Sequence, residues 1–203
     1  MLPVFLVKGK TLPETWEESI FKVWNEGILS WKESYKYGVK KDRIKECSML
    51  LVIDNPLEEP RLHLGYQGLG DLKNYVRAVL EGSEDHLVGK TLTYTYHERH
   101  FNYRVPFEED VNQIDYIVNY LKSTPYSNRC ISVTWKPWVD ESSEAPPCNI
   151  GVWFKVIKGK LIMETFWRSR DAWGAAFANI YAFTELQKEI ARKLDVEIGQ
   201  YVD

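Results

Sequence analysis

Two runs of β-forming residues, 150–157 and 161–167, meet across Lys158-Gly159-Lys160, and a stretch with helical apolar spacing follows from Gly174 to Leu194. A short glycine-bearing connection between such runs predicts a β-hairpin. Phe177, Ile180, Leu186 and Ile190 recur at the spacing of one helix face, which predicts a long helix turning those side chains inward. Any fold for this chain must therefore bury a helix against an antiparallel pair.

The other segments do not alternate regularly. Thr11 to Asn25 reads as an amphipathic helix, with Trp16, Ile20 and Trp24 on one face and Glu14, Glu17 and Glu18 near its start, where carboxylates suit the helix dipole. Further helices are expected between Gly70 and Leu80, ended by Gly82, and over about 109–122, where Val111, Ile114, Val118 and Leu121 keep helical spacing. Met49-Leu50-Leu51-Val52-Ile53 and Ile131-Ser132-Val133-Thr134-Trp135 read as strands. Thr91-Leu92-Thr93-Tyr94-Thr95-Tyr96 reads as a strand or an extended segment entering a site. This mingling excludes a doubly wound sheet and gives an α+β class with a mixed or antiparallel sheet. No internal repeat or long linker divides the 203 residues, so one domain over 1–203 is expected.

Charge excludes some partners. The chain carries 26 Lys+Arg against 29 Asp+Glu, a formal −3, so no broad cationic field exists to hold a nucleic-acid backbone. Any phosphate must be met by a few placed arginines. Cys47, Cys130 and Cys148 show neither CxxC spacing nor a histidine pair at metal spacing, which argues against a disulfide framework, against structural zinc and for reduced thiols in a cytoplasm. No apolar run reaches the roughly 18 residues that would suit a membrane span.

Chemistry concentrates late in the chain. Cys148 follows Pro146-Pro147, which fix the backbone and make a helix or sheet interior unfavourable, so the thiol belongs at a rigid loop edge just before a strand. Arg168 and Arg170 flank Ser169 beside Asp171 at a strand end. That group can bind phosphate, hold a thiolate by charge, or be a surface ion pair. Asn179 interrupts an apolar helix, where an amide must use both its donor and its acceptor; a uracil-like edge offers the matching carbonyl and ring N–H, as a neighbouring backbone group also can. The four histidines form no ligand pattern, although a Cys148–His97 dyad is conceivable.

Together these residues resemble the thymidylate synthase family. Pro146-Pro147-Cys148, Arg168-Ser169-Arg170-Asp171, Phe177-Ala178-Asn179-Ile180 and Leu194-Asp195-Val196-Glu197-Ile198-Gly199 are similar to its nucleophile loop, phosphate strand, base-reading helix and helix exit. Thr93-Tyr94-Thr95-Tyr96-His97-Glu98-Arg99 resembles a segment of the short methanogen-type members, and the match is good from about 110 onward and thin before. The resemblance implies a mixed β-sheet with helices packed on one side. It implies that Cys148 adds to carbon 6 of dUMP, with Arg168 supporting thiolate and phosphate. Arg43, Ser169 and, from a second subunit, Arg129 would complete the phosphate cradle. Asn179 would read the base, Asp171 would face the pterin, and Tyr96, or failing that Tyr94, would help remove the carbon 5 proton. The co-substrate implied is methylene-tetrahydrofolate or methylene-tetrahydromethanopterin, with no metal; a cytoplasmic homodimer making dTMP, without nucleic-acid or membrane partners, is the expected setting.

Several positions depart from the family pattern. Asn149 stands where histidine is common, Asn128 replaces an arginine, and Tyr75 aligns with the catalytic glutamate, for which Glu81 or Glu98 would have to substitute. The sequence reaches Tyr201-Val202-Asp203 without the family's C-terminal His-x-Tyr segment. Two other readings therefore stay open: a pyrimidine-nucleotide hydroxymethylase, and a nucleotide-binding homologue without catalysis.

Overall fold

The computed structural model describes residues 1–33, 41–66 and 68–203. Strand β1 (Val4–Gly9) leads into helix α1 (Leu12–Glu26), whose start is fixed by the Glu14 carboxylate accepting from the Lys10 and Thr11 amides at 2.9 and 3.3 Å. Strands β2 (Ile28–Glu33) and β3 (Lys41–Glu46) pair antiparallel as a separate two-stranded sheet, and β4 (Ser48–Ile53) returns alongside β1 in parallel. Helices α2 (Leu69–Glu81), α3 (Tyr96–Phe101) and α4 (Gln113–Ser123) follow. Then come β5 (Ile131–Val133), the single turn α5 (Pro137–Asp140), the hairpin β6 (Asn149–Ile157) and β7 (Lys160–Trp167), helix α6 (Ala176–Leu194) and β8 (Glu197–Val202).

The main sheet has six strands in the order β1-β4-β8-β7-β6-β5, parallel at β1/β4 and β7/β8 and antiparallel elsewhere. The expected hairpin is present, and Lys158 and Gly159 both take positive φ at its turn, as the twist of a tight hairpin requires. Helices cover one face. Phe177, Ile180, Phe183, Leu186 and Ile190 of α6 are buried against Val152, Phe154, Leu161 and Met163 of the hairpin, with α1, α2 and α4 completing the layer. Each large side chain so buried contributes about 1.5–3 kcal/mol. The opposite face is bare: Val4, Leu6, Leu50, Ile131, Val133 and Phe166 all stand exposed, Leu6 at 64% and Phe166 at 45%.

Local expectations fail where capping or position outweighs propensity. Of the two readings of residues 91–96 the strand fails and the extended segment fits better, because Thr95 is extended and its side chain accepts from the Glu98 amide, starting α3 at Tyr96. Val111 lies outside α4, since Asn112 caps that helix through its Oδ1 to the Asp115 amide at 2.9 Å. Trp24 is 68% exposed instead of sharing the buried face with Trp16; near the end of α1 its ring meets the Lys45 ammonium from β3, not the core.

Candidate active site

Two prolines carry the chain into β6, and Cys148 sits half-buried at that junction. Its carbonyl accepts from the Arg168 amide at 2.9 Å, so the end of β7 is bonded to the thiol's own residue. The Arg168 guanidinium then reaches back: Nε donates to the Pro147 carbonyl and Nη2 to the Pro146 carbonyl, both at 2.9 Å, and Nη2 lies 3.9 Å from Cys148 Sγ. These acceptors are neutral. They aim the cation without cancelling it, and among the described residues no carboxylate is paired with Arg168, so its charge stays available beside the sulfur.

Behind the thiol, Asn149 is wholly buried, and its Nδ2 donates to the Gly151 carbonyl at 3.3 Å and the Phe166 carbonyl at 3.2 Å. It thereby fixes the irregular register between Asn149 and Gly151 where β6 begins. At that bulge the strands approach so closely that a Cβ on Gly151 would come within 2.8 Å of the Ser132 carbonyl oxygen. His100, buried just below, lies with Nδ1 2.7 Å from Ser132 Oγ, and burial together with nearby His97 pushes its pKa down to about 3, so the imidazole is neutral.

A row of phenols lines the other side. The Thr93 hydroxyl donates to the Ala145 carbonyl at 2.9 Å and draws this segment against the nucleophile loop. The Tyr94 hydroxyl interacts with that of Tyr96 and with the Cys148 backbone amide. The Tyr96 ring packs edge-on against Trp167 and Phe183. Burial, with the neighbouring Tyr94 adding, pushes the Tyr96 phenol far up, and burial also raises Tyr75 and Tyr94. All three are therefore neutral hydroxyls, able to donate and poor at taking a proton.

Asn179 projects from the first turns of α6 with its Nδ2 donating to the Tyr75 hydroxyl at 2.5 Å. The two line a cavity of about 230 Å³ together with Tyr66, Asp71, Leu72 and Ala178. The loop ahead of α6 is held by Asp171, whose Oδ1 accepts from the Trp173 and Gly174 amides at 3.1 and 2.9 Å, and by Trp16 Nε1 donating to the Ala172 carbonyl at 2.9 Å.

The other expected residues are placed less tightly. Ser169 is exposed beside Arg168. Arg129 is exposed on the loop into β5, with its backbone amide on Ser127 Oγ, and Arg43 is exposed on β3 over the Trp31 ring at 6.0 Å. Neither is among the groups contacting Cys148. His97 pairs with Asp85 at 2.7 Å and stacks on Phe101. Arg170 pairs with Asp203, not with its neighbour Asp171, and lies over Trp167 at 4.0 Å. Sequence reasoning could not find that pair or the Tyr75–Asn179 bond, because their partners are 33 and 104 residues apart. Among the described residues, no group of His, Cys, Asp and Glu side chains is arranged to hold a metal ion, and no helix is long and apolar enough to cross a membrane.

Comparison with known proteins extends the likeness to residues upstream of 110. The family model described as thymidylate synthase matches residues 4–203. A protein named "Putative thymidylate synthase" from Methanosarcina acetivorans is 29% identical over 195 residues, covering 96% of this chain and 83% of that protein. Its namesake from Methanocaldococcus jannaschii is 29% identical over 202 residues, covering 96% and 85%. The solved thermostable thymidylate synthase A from Bacillus subtilis superposes with a TM-score of 0.69 at 19% identity, covering 95% of this chain and 77% of that one, and shows the same fold.

Proposed function

This chain belongs to the thymidylate synthase family, and on that premise we propose that it converts dUMP to dTMP with a methylene-carrying reduced pterin as co-substrate. One observation carries the reading: Arg168, held by two carbonyls, keeps an uncancelled charge 3.9 Å from the Cys148 sulfur. A mere nucleotide binder has no physical need of a cation aimed at a thiol.

Cys148 adds to carbon 6 of the pyrimidine, and the displaced π electrons make carbon 5 nucleophilic. The pterin supplies the one-carbon group and the hydride that completes the methyl. Asn179 orients the base, and the neutral Tyr94 and Tyr96 hydroxyls orient a water that takes the carbon 5 proton, since phenols whose pKa is raised by burial stay protonated and do not take it themselves. Ser169 and Arg168 meet the phosphate from this subunit together with Arg43, and Arg129 does so from a second copy. The bare face of the main sheet supports that homodimer, because its exposed apolar side chains run across β1, β4, β7 and β5. Asp171, which braces the loop ahead of α6, faces the pterin in this reading.

Tyr75 at the glutamate position favours a second reading, a binding homologue without turnover. Tritium release from carbon 5 of labelled dUMP separates the two, measured with and without methylene-tetrahydrofolate for this chain and for Cys148→Ala. Release that needs both pterin and Cys148 supports the enzyme, with product analysis separating methyl from hydroxymethyl; bound dUMP without release supports the binder.

A further inference from the structure

Thr95 stands in the chain between Tyr94 and Tyr96, and its buried hydroxyl is used twice. The oxygen accepts from the Glu98 amide at 3.0 Å and so starts α3, while its proton goes to Asp85 Oδ1. The other carboxylate oxygen, Oδ2, meets His97 Nδ1 at 2.7 Å. A carboxylate only accepts, so hydroxyl and imidazole each give it a hydrogen. The His97 ring lies flat on Phe101, the last residue of α3, with centroids 4.5 Å apart. One side chain from outside the helix thus grips both its cap and its first turn.

The same residue is fitted to the end of α2. Asp85 donates its backbone amide to the Gly82 carbonyl at 3.0 Å. Gly82 closes α2 at a φ of +65°, and a Cβ there would come within 2.8 Å of Asp85 Oδ2 and closer still to His97 Nδ1. Both the turn and the close approach therefore require glycine. The helix so ended carries Tyr75 about two turns earlier, and the helix so begun carries Tyr96. Asp85 registers one against the other.

We propose that Asp85 is a positioning residue for the proton step at carbon 5: through Thr95 and His97 it sets where the Tyr94 and Tyr96 hydroxyls stand, without itself touching substrate. This rests on the methyl-transfer reading above. The segment is anchored on one side by the Thr93 hydroxyl on the Ala145 carbonyl at 2.9 Å and on the other by Thr95 on Asp85. With the second anchor gone, both phenols are free to swing about the first, and a shift of about 1 Å in a positioned group can cost roughly a hundredfold in rate. His97, which the sequence leaves open as a partner for Cys148, is spent on Asp85.

Turnover per nucleotide site separates positioning from support of the fold. Calorimetric titration with dUMP counts the sites and gives the affinity, and tritium release from carbon 5 of labelled dUMP with methylene-tetrahydrofolate gives the rate. Asp85→Ala is expected to release tritium at least about tenfold more slowly per site, with dUMP affinity changed less than about threefold. Asp85→Asn keeps an oxygen for the Thr95 hydroxyl and turns its NH₂ to His97, whose Nδ1 then accepts, so release should stay within about threefold of the unmodified chain. Thr95→Val keeps the shape of the side chain, removes the hydroxyl and should repeat the loss, which covers the case in which Asp85→Ala does not fold. Unchanged release per site in either of these two would overturn the assignment and leave the methyl-transfer reading intact. So would a fall in dUMP affinity as large as the fall in rate, an Asp85→Asn chain as slow as Asp85→Ala, or loss of all dUMP binding in both Asp85→Ala and Thr95→Val, which would make the pair a support of the fold. No release from the unmodified chain would bring down the catalytic reading and this inference with it.

Discussion

Arg99 and Arg168 are both held by several partners, yet they are left with opposite amounts of charge. Arg99 is 2% exposed and grips Asp140 through two bonds of 2.8 and 2.9 Å, with Glu98 Oε2 at 3.1 Å; Lys136 closes the group by reaching Glu98 at 2.6 Å. Two cations and two carboxylates cancel within that cluster. Arg168 is exposed and, among the described residues, holds only carbonyls and the thiol. An arginine used for architecture is neutralised, whereas one that must act on a sulfur or a phosphate is oriented by groups that leave its charge intact.

The largest expected effect is on the reacting side of this contrast: Cys148→Ala should abolish turnover outright while leaving the melting temperature nearly unchanged, and residual pterin-dependent tritium release would break the comparison at its centre. Next comes the architectural side. Asp140→Asn leaves Arg99 buried and half paired, so denaturant unfolding should show a loss of about 3–5 kcal/mol, with any activity retained by the folded fraction. Arg168→Met should invert that pattern. Stability should change little, while kcat/KM falls about 10- to 100-fold and alkylation of Cys148 at neutral pH slows, on the scale of one charge-assisted hydrogen bond.

A fourth test concerns His100, which is neutral where it is buried. Its folded pKa, about 3, lies below the ordinary 6.5, so between those values the unfolded chain binds more protons and stability falls as pH falls. The slope should approach about 1.4 kcal/mol per pH unit, and His100→Gln should flatten it; an unchanged slope would remove His100 as the cause. The smallest effect belongs to the exposed Arg129. Arg129→Ala should weaken dUMP binding by about tenfold or less, more at low salt, and mixing it with Cys148→Ala should restore some activity if two subunits share each site.

How much of this was legible depends on how far apart in sequence the cause lies. The hairpin and α6 were readable because the alternation, the Lys158-Gly159 turn and the spacing of Phe177, Ile180, Leu186 and Ile190 are all local. Cys148 and Arg168 were found together because residue chemistry marks each, and the backbone bond between their residues does put them in contact. Strands β1 and β8 are not legible in the sequence, since each becomes a strand through remote pairing, Val4 with Ser48 and Tyr201 with Ile53. Tyr75 could be seen only as a departure; that its hydroxyl receives the Asn179 amide follows from the packing of α2 on α6, which no short window contains.

Strand β8 joins what is otherwise two separate pieces of sheet. Among the described residues β4 and β7 do not pair, and β1 and β4 on one side are joined to β7, β6 and β5 on the other by residues 197–203, Asp203 exchanging both backbone bonds with Leu51 at 2.8 and 2.9 Å. As these residues leave the ribosome long after residues 4–53, the first piece must wait as an unfinished edge. Folding kinetics should accordingly be slow for a chain of this size and set by the arrival of this clasp.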